Sequence, residues 1–297
     1  MDRSQDLSSA LREMLAPGGV WELQPTVGSL LSSTLACLPK GNVSDEERRY
    51  PTTRAGLRAF MDGFFARHYF QVQDSLVDFF ASPAFSAILR RGTMHIADVG
   101  CGPSVASLGI LDMASAAMSL MNGGFPGKCP LTVHIALNDS SEVCLSEGRV
   151  LLDRYSRCGP NTVRVGRVLP FSTPFPESLL QLRRIERMTI PYDICCLGYV
   201  LIPLSEKMGV GGTAERFRQL AQTGNQAGGQ LLLTQDKFRE GLLRSVCWAL
   251  GVSAEIVDLE QRVYDSQNQN DEQTYTYGRS CSPVTVLRGS GAALSVA

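Results

Sequence analysis

Apolar positions along the chain change period several times, and the changes mark out its elements. Ser4 to Leu15 places Leu7, Leu11, Met14 and Leu15 at helical spacing, and Ala16-Pro17-Gly18-Gly19 ends the run. Within a mixed opening segment, Gly41 to Arg54 is polar, charged and Pro-containing, which predicts a loop. From Ala55 to Leu89 apolar residues recur every three or four positions (among them Leu57, Phe60, Met61, Phe64, Phe65 and Tyr69), broken at Pro83, which predicts a helical lead-in. Strand and helix patterns then alternate. Strand signals fall at Met94–Val99, Leu131–Leu137, Thr162–Leu169, Tyr192–Leu201 and Gly229–Thr234. Helical signals fall between them, at Val105–Met121, Ser140–Tyr155, Glu177–Met188, Thr213–Gly224 and Phe238–Leu250.

That alternation predicts parallel βαβ units with right-handed crossovers. The rhythm breaks near the end, where Ala254–Tyr264 and Thr274–Leu287 are extended runs joined by the polar segment Asp265–Gln273. So short a connection leaves no room for a helix and requires antiparallel pairing. The expected fold class is therefore α/β: a doubly wound, mostly parallel seven-stranded sheet with an antiparallel C-terminal hairpin, plus an N-terminal helical cap. The expected division is a cap and substrate region over 1–92, the α/β domain over 93–289, and a disordered tail over 290–297.

Composition narrows the functional classes. The 297 residues are 44% apolar and 19% charged, as in a globular protein, and 28 basic against 29 acidic residues give a net charge of −1. A surface-wide field for polyanions is thus not expected, although a local patch is compatible. Nine cysteines, none in a C-x-x-C pair, argue against a disulfide framework or zinc ribbon and for reduced thiols in a cytoplasmic protein; no metal is expected. The N-terminus shows no signal segment, and no run approaches the roughly 20 apolar residues of a membrane span.

The most informative segment is Asp98-Val99-Gly100-Cys101-Gly102-Pro103-Ser104, which leaves the first strand of the βα series and enters a helix. Glycines at such an exit permit a sharp turn and a close backbone approach to a ligand. Ser104 stands where a dinucleotide fingerprint has its third glycine, which disfavours pyrophosphate cradling and a nicotinamide-dependent oxidoreductase. An acid ahead of G-x-G resembles class I S-adenosylmethionine-dependent methyltransferases, and the resemblance covers about Met94 to Leu287, terminal hairpin included. It implies S-adenosylmethionine as cofactor, bound by Asp98, Gly100, Cys101, Gly102, Pro103 and Ser104. In Asn138-Asp139-Ser140-Ser141, after the second strand, it implies a carboxylate on the ribose hydroxyls, for which Asp139 with Ser140 is the choice; capping of the next helix is the other role open to them. The family's acid after the third strand is missing, so Arg167 and Val168 would meet the adenine by backbone. Asp193, opening the fourth strand, matches an often acidic position or is simply a solvent-edge acid. Leu197, Gly198 and Tyr199 leave the fourth strand where the methyl group is presented.

Methyl transfer needs positioning and, for weakly acidic acceptors, a base. His68 and Tyr69 on the lead-in helix, with Tyr199, are the catalytic candidates; Tyr69 also fits the apolar stripe. His95 and His134 lie in strands and read as core groups. Cys195-Cys196 has a faint likeness to the turn of RNA cytosine methyltransferases but lacks its proline, and an apolar strand favours buried thiols. No N-P-P-Y-like tetrapeptide ends the fourth strand, which disfavours methylation of exocyclic amino groups by the usual route. Arg183, Arg184 and Arg187, with other arginines nearby, offer an RNA contact or a solvated helix face. Two functions stay open: an S-adenosylmethionine-dependent methyltransferase acting on a small molecule or on RNA, and a methyltransferase-like protein that binds RNA or a ribosome assembly with weak or no catalysis.

Overall fold

The structure, a computed structural model, describes residues 3–121, 130–172, 192–262 and 272–283. The expected arginine-rich helix with Arg183, Arg184 and Arg187, the turn residues 265–271 and the tail 290–297 lie outside the described residues.

Five helices precede the sheet: α1 (Arg3–Leu15), α2 (Pro25–Cys37), α3 (Asp45–Arg49), α4 (Arg54–Phe80) and α5 (Pro83–Arg91). Two of them correct the expected pattern. In α2, Val27, Leu30, Leu31 and Thr34 form a buried stripe at helical spacing, hidden in the sequence among serines and a glycine. α3 is one turn inside the expected loop, capped by Ser44, whose hydroxyl accepts from the Glu47 amide. Ser82 caps α5 in the same way, Pro83 occupies its first turn, and left-handed Gly92 ends it.

The sheet then follows as β1 (Thr93–Val99), α6 (Val105–Met121), β2 (Leu131–Asn138), α7 (Glu142–Cys158), β3 (Val163–Phe171), β4 (Tyr192–Gly198), α8 (Leu201–Gly224), β5 (Asn225–Asp236), α9 (Glu240–Leu250), β6 (Glu255–Arg262) and β7 (Glu272–Pro283). The strand order is β3-β2-β1-β4-β5-β7-β6, parallel through β5 and antiparallel at β7. The expected seven-stranded, mostly parallel sheet with its antiparallel terminal hairpin is the sheet observed. β4 stops three residues short of expectation because the chain turns at Tyr199, and an apolar run does not tell a strand's end from the next helix's start.

Period-two alternation sends the strands' side chains to two faces. Met94, Ile96, Val133, Ile135, Cys196 and Leu232 pack with α1, α2, α4, α6 and α7. Ala97, Val99, Cys195, Leu197, Leu231 and Leu233 pack with α8 and α9. Helix α4, about 40 Å long at 1.5 Å per residue, lies against α6 and reaches β7, so the N-terminal helices share one core with the sheet. Its buried Asp74 is satisfied across that contact, accepting from Tyr277 Oη, Arg279 and Arg12. The outer edge of β6 is covered by Trp21, which exchanges backbone hydrogen bonds with Glu260 and Arg262.

The strand order reverses between β1 and β4, since β1 to β3 step one way and β4 to β5 the other. In open α/β sheets the crevice at such a point, beyond the carboxyl ends of the strands, is where ligands sit.

Candidate functional site

A cavity of about 450 Å³ opens at that crevice, within the usual size of small-molecule sites. The exits of β1, β2 and β4 border it, and α4, the first part of α8 and the 49–52 loop close it.

The β1 exit is a tight turn. Gly100 and Gly102 have φ of +65° and +50°, and the Gly100 and Cys101 amides both donate to the Asn138 carbonyl. A Cβ on Gly100 would lie 2.2 Å from Val200 Cγ1, and one on Gly102 3.5 Å from the Phe60 ring. Gly100 is therefore required by the protein's own packing, while Gly102 sits under an aromatic ring with backbone facing the cavity. Asp98 is tied to the first turn of α6, where its Oδ2 accepts from the Ser107 amide at 3.1 Å and hydroxyl at 2.6 Å. Burial pushes its pKa up to about 6 against the pull of those two bonds, with Asp139 adding to the rise.

At the β2 exit Asp139 bridges two loops. Its Oδ2 accepts from the Gly102 amide and its Oδ1 from the Ser141 amide, both at 2.8 Å. Burial raises its pKa and these bonds oppose the rise. A carboxylate has about four acceptor positions, so two amides leave capacity on the cavity side. Ser141 caps α7 by accepting from the Cys144 amide, and its hydroxyl donates to the Pro51 carbonyl. That bond docks the 49–52 loop over the β2 exit. Glu47 gathers the loop, accepting from the amides and hydroxyls of Thr52 and Thr53, and these bonds lower its pKa to about 2.

At the β4 exit Tyr199 adopts φ +59°. Its amide donates to the Thr234 carbonyl at 3.0 Å and its hydroxyl to Gln71 Oε1. Its ring stacks on His68 with centroids 3.9 Å apart. Burial lowers the His68 pKa to about 3, with Arg67 adding to the effect, so the imidazole is neutral at ordinary pH.

Of the residues expected from the sequence, His68, Tyr199, Asp98, Gly100, Cys101, Gly102, Asp139, Ser140 and Gly198 line this one cavity. Others lie elsewhere. Tyr69 points away into the α4–α6–α7 contact, where its hydroxyl and that of Tyr155 donate to Asp112. Neighbours on a helix differ by about 100°, so adjacent His68 and Tyr69 cannot share a face. Pro103 and Ser104 are buried behind the turn, Ser104 at φ 62°, and Leu197 is a core residue of β4. Arg167 and Val168 are mid-strand, because β3 runs on to Phe171; Ser172 is the β3-exit residue at the cavity. Asp193 lies at the opposite, amino end of the central strand β4, accepting from Arg91 and the His95 amide, and it is buried there rather than a solvent-edge acid. His95 and His134 stack on each other across β1 and β2. Cys195 and Cys196 are fully buried, and burial drives the Cys196 thiol well up, as expected of structural thiols. No metal-binding cluster occurs among the described residues. Phe60, Val72, Pro51, Leu204 and Lys207 also line the cavity and had no local signal in the sequence, since long-range packing brings them there.

No family model and no curated protein matches the chain. Solved structures similar to it include an S-adenosylmethionine-dependent methyltransferase from Agrobacterium tumefaciens, at 13% identity and TM-score 0.38 over 73% of this chain and 61% of that one. Others are the C-terminal domain of precorrin-6Y C5,15-methyltransferase from Rhodobacter capsulatus (12% identity, TM-score 0.38, 64% and 80% covered) and a methyltransferase from Pyrococcus furiosus (13%, 0.36, 68% and 83%). The chain thus spans less than two thirds of the Agrobacterium protein's length.

Proposed function

We propose that this protein binds S-adenosylmethionine at the β1/β2/β4 exits and transfers its methyl group to an acceptor, a small molecule in preference to RNA. The observation that carries the reading is that the Asp98–Gly102 turn and Asp139 border one cavity at the point where strand order reverses. The residues fit such a cofactor. Gly102, at φ +50°, presents backbone to the cavity, and Asp139 keeps acceptor capacity beyond its bonds to the Gly102 and Ser141 amides. The bound cofactor would supply an electrophilic methyl on a sulfonium, with the C–S electron pair returning to sulfur as the acceptor's lone pair forms the new bond.

What the chain contributes is position and exclusion of water. Asp139 and Ser140 would hold the ribose and Asp98 would place negative charge near a cation. The Pro51–Ser141 contact closes the nucleoside end, and Gly198 and Tyr199 would present the methyl. His68, held neutral by burial, is a poor proton acceptor there and is better suited to stacking than to the basic role expected from sequence. The eight cysteines among the described residues form no disulfide, in keeping with a reducing compartment such as the cytoplasm.

Calorimetric titration tests this. One-site binding of S-adenosylmethionine is expected, with no response to NAD. Asp139→Ala should weaken binding by about 1–3 kcal/mol. No binding at millimolar S-adenosylmethionine would contradict the reading and favour a binding protein without catalysis.

A further inference from the structure

We infer that the acceptor is a planar aromatic or heteroaromatic small molecule seated against the ring of Tyr199, an inference that rests on the methyl-transfer reading of the adjoining half of the cavity. The cavity has two chemically different sides. Beside β2 its lining is hydroxyl, amide and carboxylate, from Thr52, Asn138, Asp139, Ser140 and Ser141. Beside β4 it is mainly aromatic and aliphatic, with Phe60, Val72, Val200, Leu204 and Met208 around Tyr199 and His68, and with Lys207 and Thr234 as its polar members. The first suits a nucleoside; the second is what remains for the acceptor.

The aromatic side is built with some care. Phe64 stacks on His68 at 5.8 Å and 26°, His68 on Tyr199 at 3.9 Å and 20°, and Phe60 meets His68 edge-on at 5.6 Å. A series of near-parallel rings thus runs from α4 to the cavity wall. Its last member, Tyr199, stands in left-handed backbone, which is strained for a residue with a Cβ. The strain is held by one bond to β5, through the Thr234 carbonyl, and one to α4, through Gln71 Oε1. The fold therefore tolerates a strained conformation that puts a ring on the cavity wall. With the imidazole uncharged and stacked between Phe64 and Tyr199, and the tyrosine hydroxyl bonded to Gln71, this wall offers the flat face of the Tyr199 ring. A planar ring buried there gains offset stacking beyond the burial of its area. A strongly hydrated aliphatic acceptor would shed water for little in return. The enclosed space, about 450 Å³ for cofactor and acceptor together, and the docked 49–52 loop favour a free small molecule over a base presented by RNA.

Calorimetry with 2-naphthylmethanol and its fully saturated counterpart tests the inference without turnover. Saturable binding of the aromatic compound is expected, about tenfold tighter than the saturated one. Tyr199→Leu should weaken it about tenfold, and Tyr199→Phe, which keeps the ring, by less than about threefold. S-adenosylhomocysteine titrated into the wild type should bind at one site. Equal binding of the two alcohols, no binding of either, or indifference to Tyr199→Leu would overturn the inference while retained S-adenosylhomocysteine binding left the cofactor reading standing. Loss of S-adenosylhomocysteine binding in the wild type would overturn that reading instead. Tighter, Tyr199-dependent binding of adenosine 5′-monophosphate than of the naphthyl probe would replace the small molecule with an RNA base.

Discussion

Ser104 shows how a single position carries local cost. It has φ 62°, where glycine is favoured, and its hydroxyl is buried without a partner among the described residues. Left-handed backbone costs about 1–2 kcal/mol and an unsatisfied hydroxyl about 1–3, against roughly 1 lost to glycine's greater freedom when unfolded. Ser104→Gly should raise stability by about 1 kcal/mol or more in urea unfolding; a decrease would mean the turn is not strained. Buried carboxylates give a pH dependence of known sign. Asp98 and Asp112 are pushed up from 3.8 to about 6 by burial, so the folded chain keeps protons that the unfolded chain releases between those values. Stability is thus greatest below about pH 4 as far as these two groups contribute, and falls as pH rises through about 6. Asp98→Asn keeps an acceptor for Ser107 and should be more stable than wild type at pH 7, with no advantage at pH 4. An equal difference at both pH values would show that Asp98 does not titrate in this window.

Among the elements, the 49–52 loop is the piece whose position depends on few bonds. Glu47 supplies acceptors to four donors in Thr52 and Thr53, and one hydroxyl from Ser141 pins Pro51. Glu47→Ala should speed amide exchange at Thr52 and Thr53 by about tenfold or more while α4 amides beyond its first turn stay protected; unchanged exchange would mean the loop is held by packing alone. Elements also show where the sequence was legible. Val105–Met121 stands out because its apolar density has no break, whereas Ser/Thr-rich α2 looks like loop until its stripe is seen against α7 and α4. His68 and Tyr69 were inseparable as letters, and only the packing partner, α6 for one and the cavity for the other, distinguishes them.

For the molecule as a whole, the division at residue 92 drawn from the sequence meets a core that crosses it: Leu57, Phe65 and Phe80 share a cluster with Met94, Ile96 and Val133. The intact chain should melt in one transition, and residues 93–297 alone should lack a cooperative one; a well-folded fragment would support the cap as a separate unit. The mostly parallel seven-stranded sheet with its antiparallel hairpin, and the places of the glycine turn and Asp139 at strand exits, could be read in advance because each depends on chain neighbours or on connection length. Phe60, Val72, Pro51 and Lys207 could not, because their place follows from how α4, α8 and a loop fold over the sheet's edge. The cofactor assignment is tested most directly by a crystal structure of the protein with S-adenosylhomocysteine. The expected result is the nucleoside between the Gly100–Gly102 turn and Asp139, its ribose hydroxyls bonded to the Asp139 carboxylate and its sulfur toward Tyr199. A nucleoside bound elsewhere, or a crevice that stays without it at millimolar concentration, would contradict the assignment.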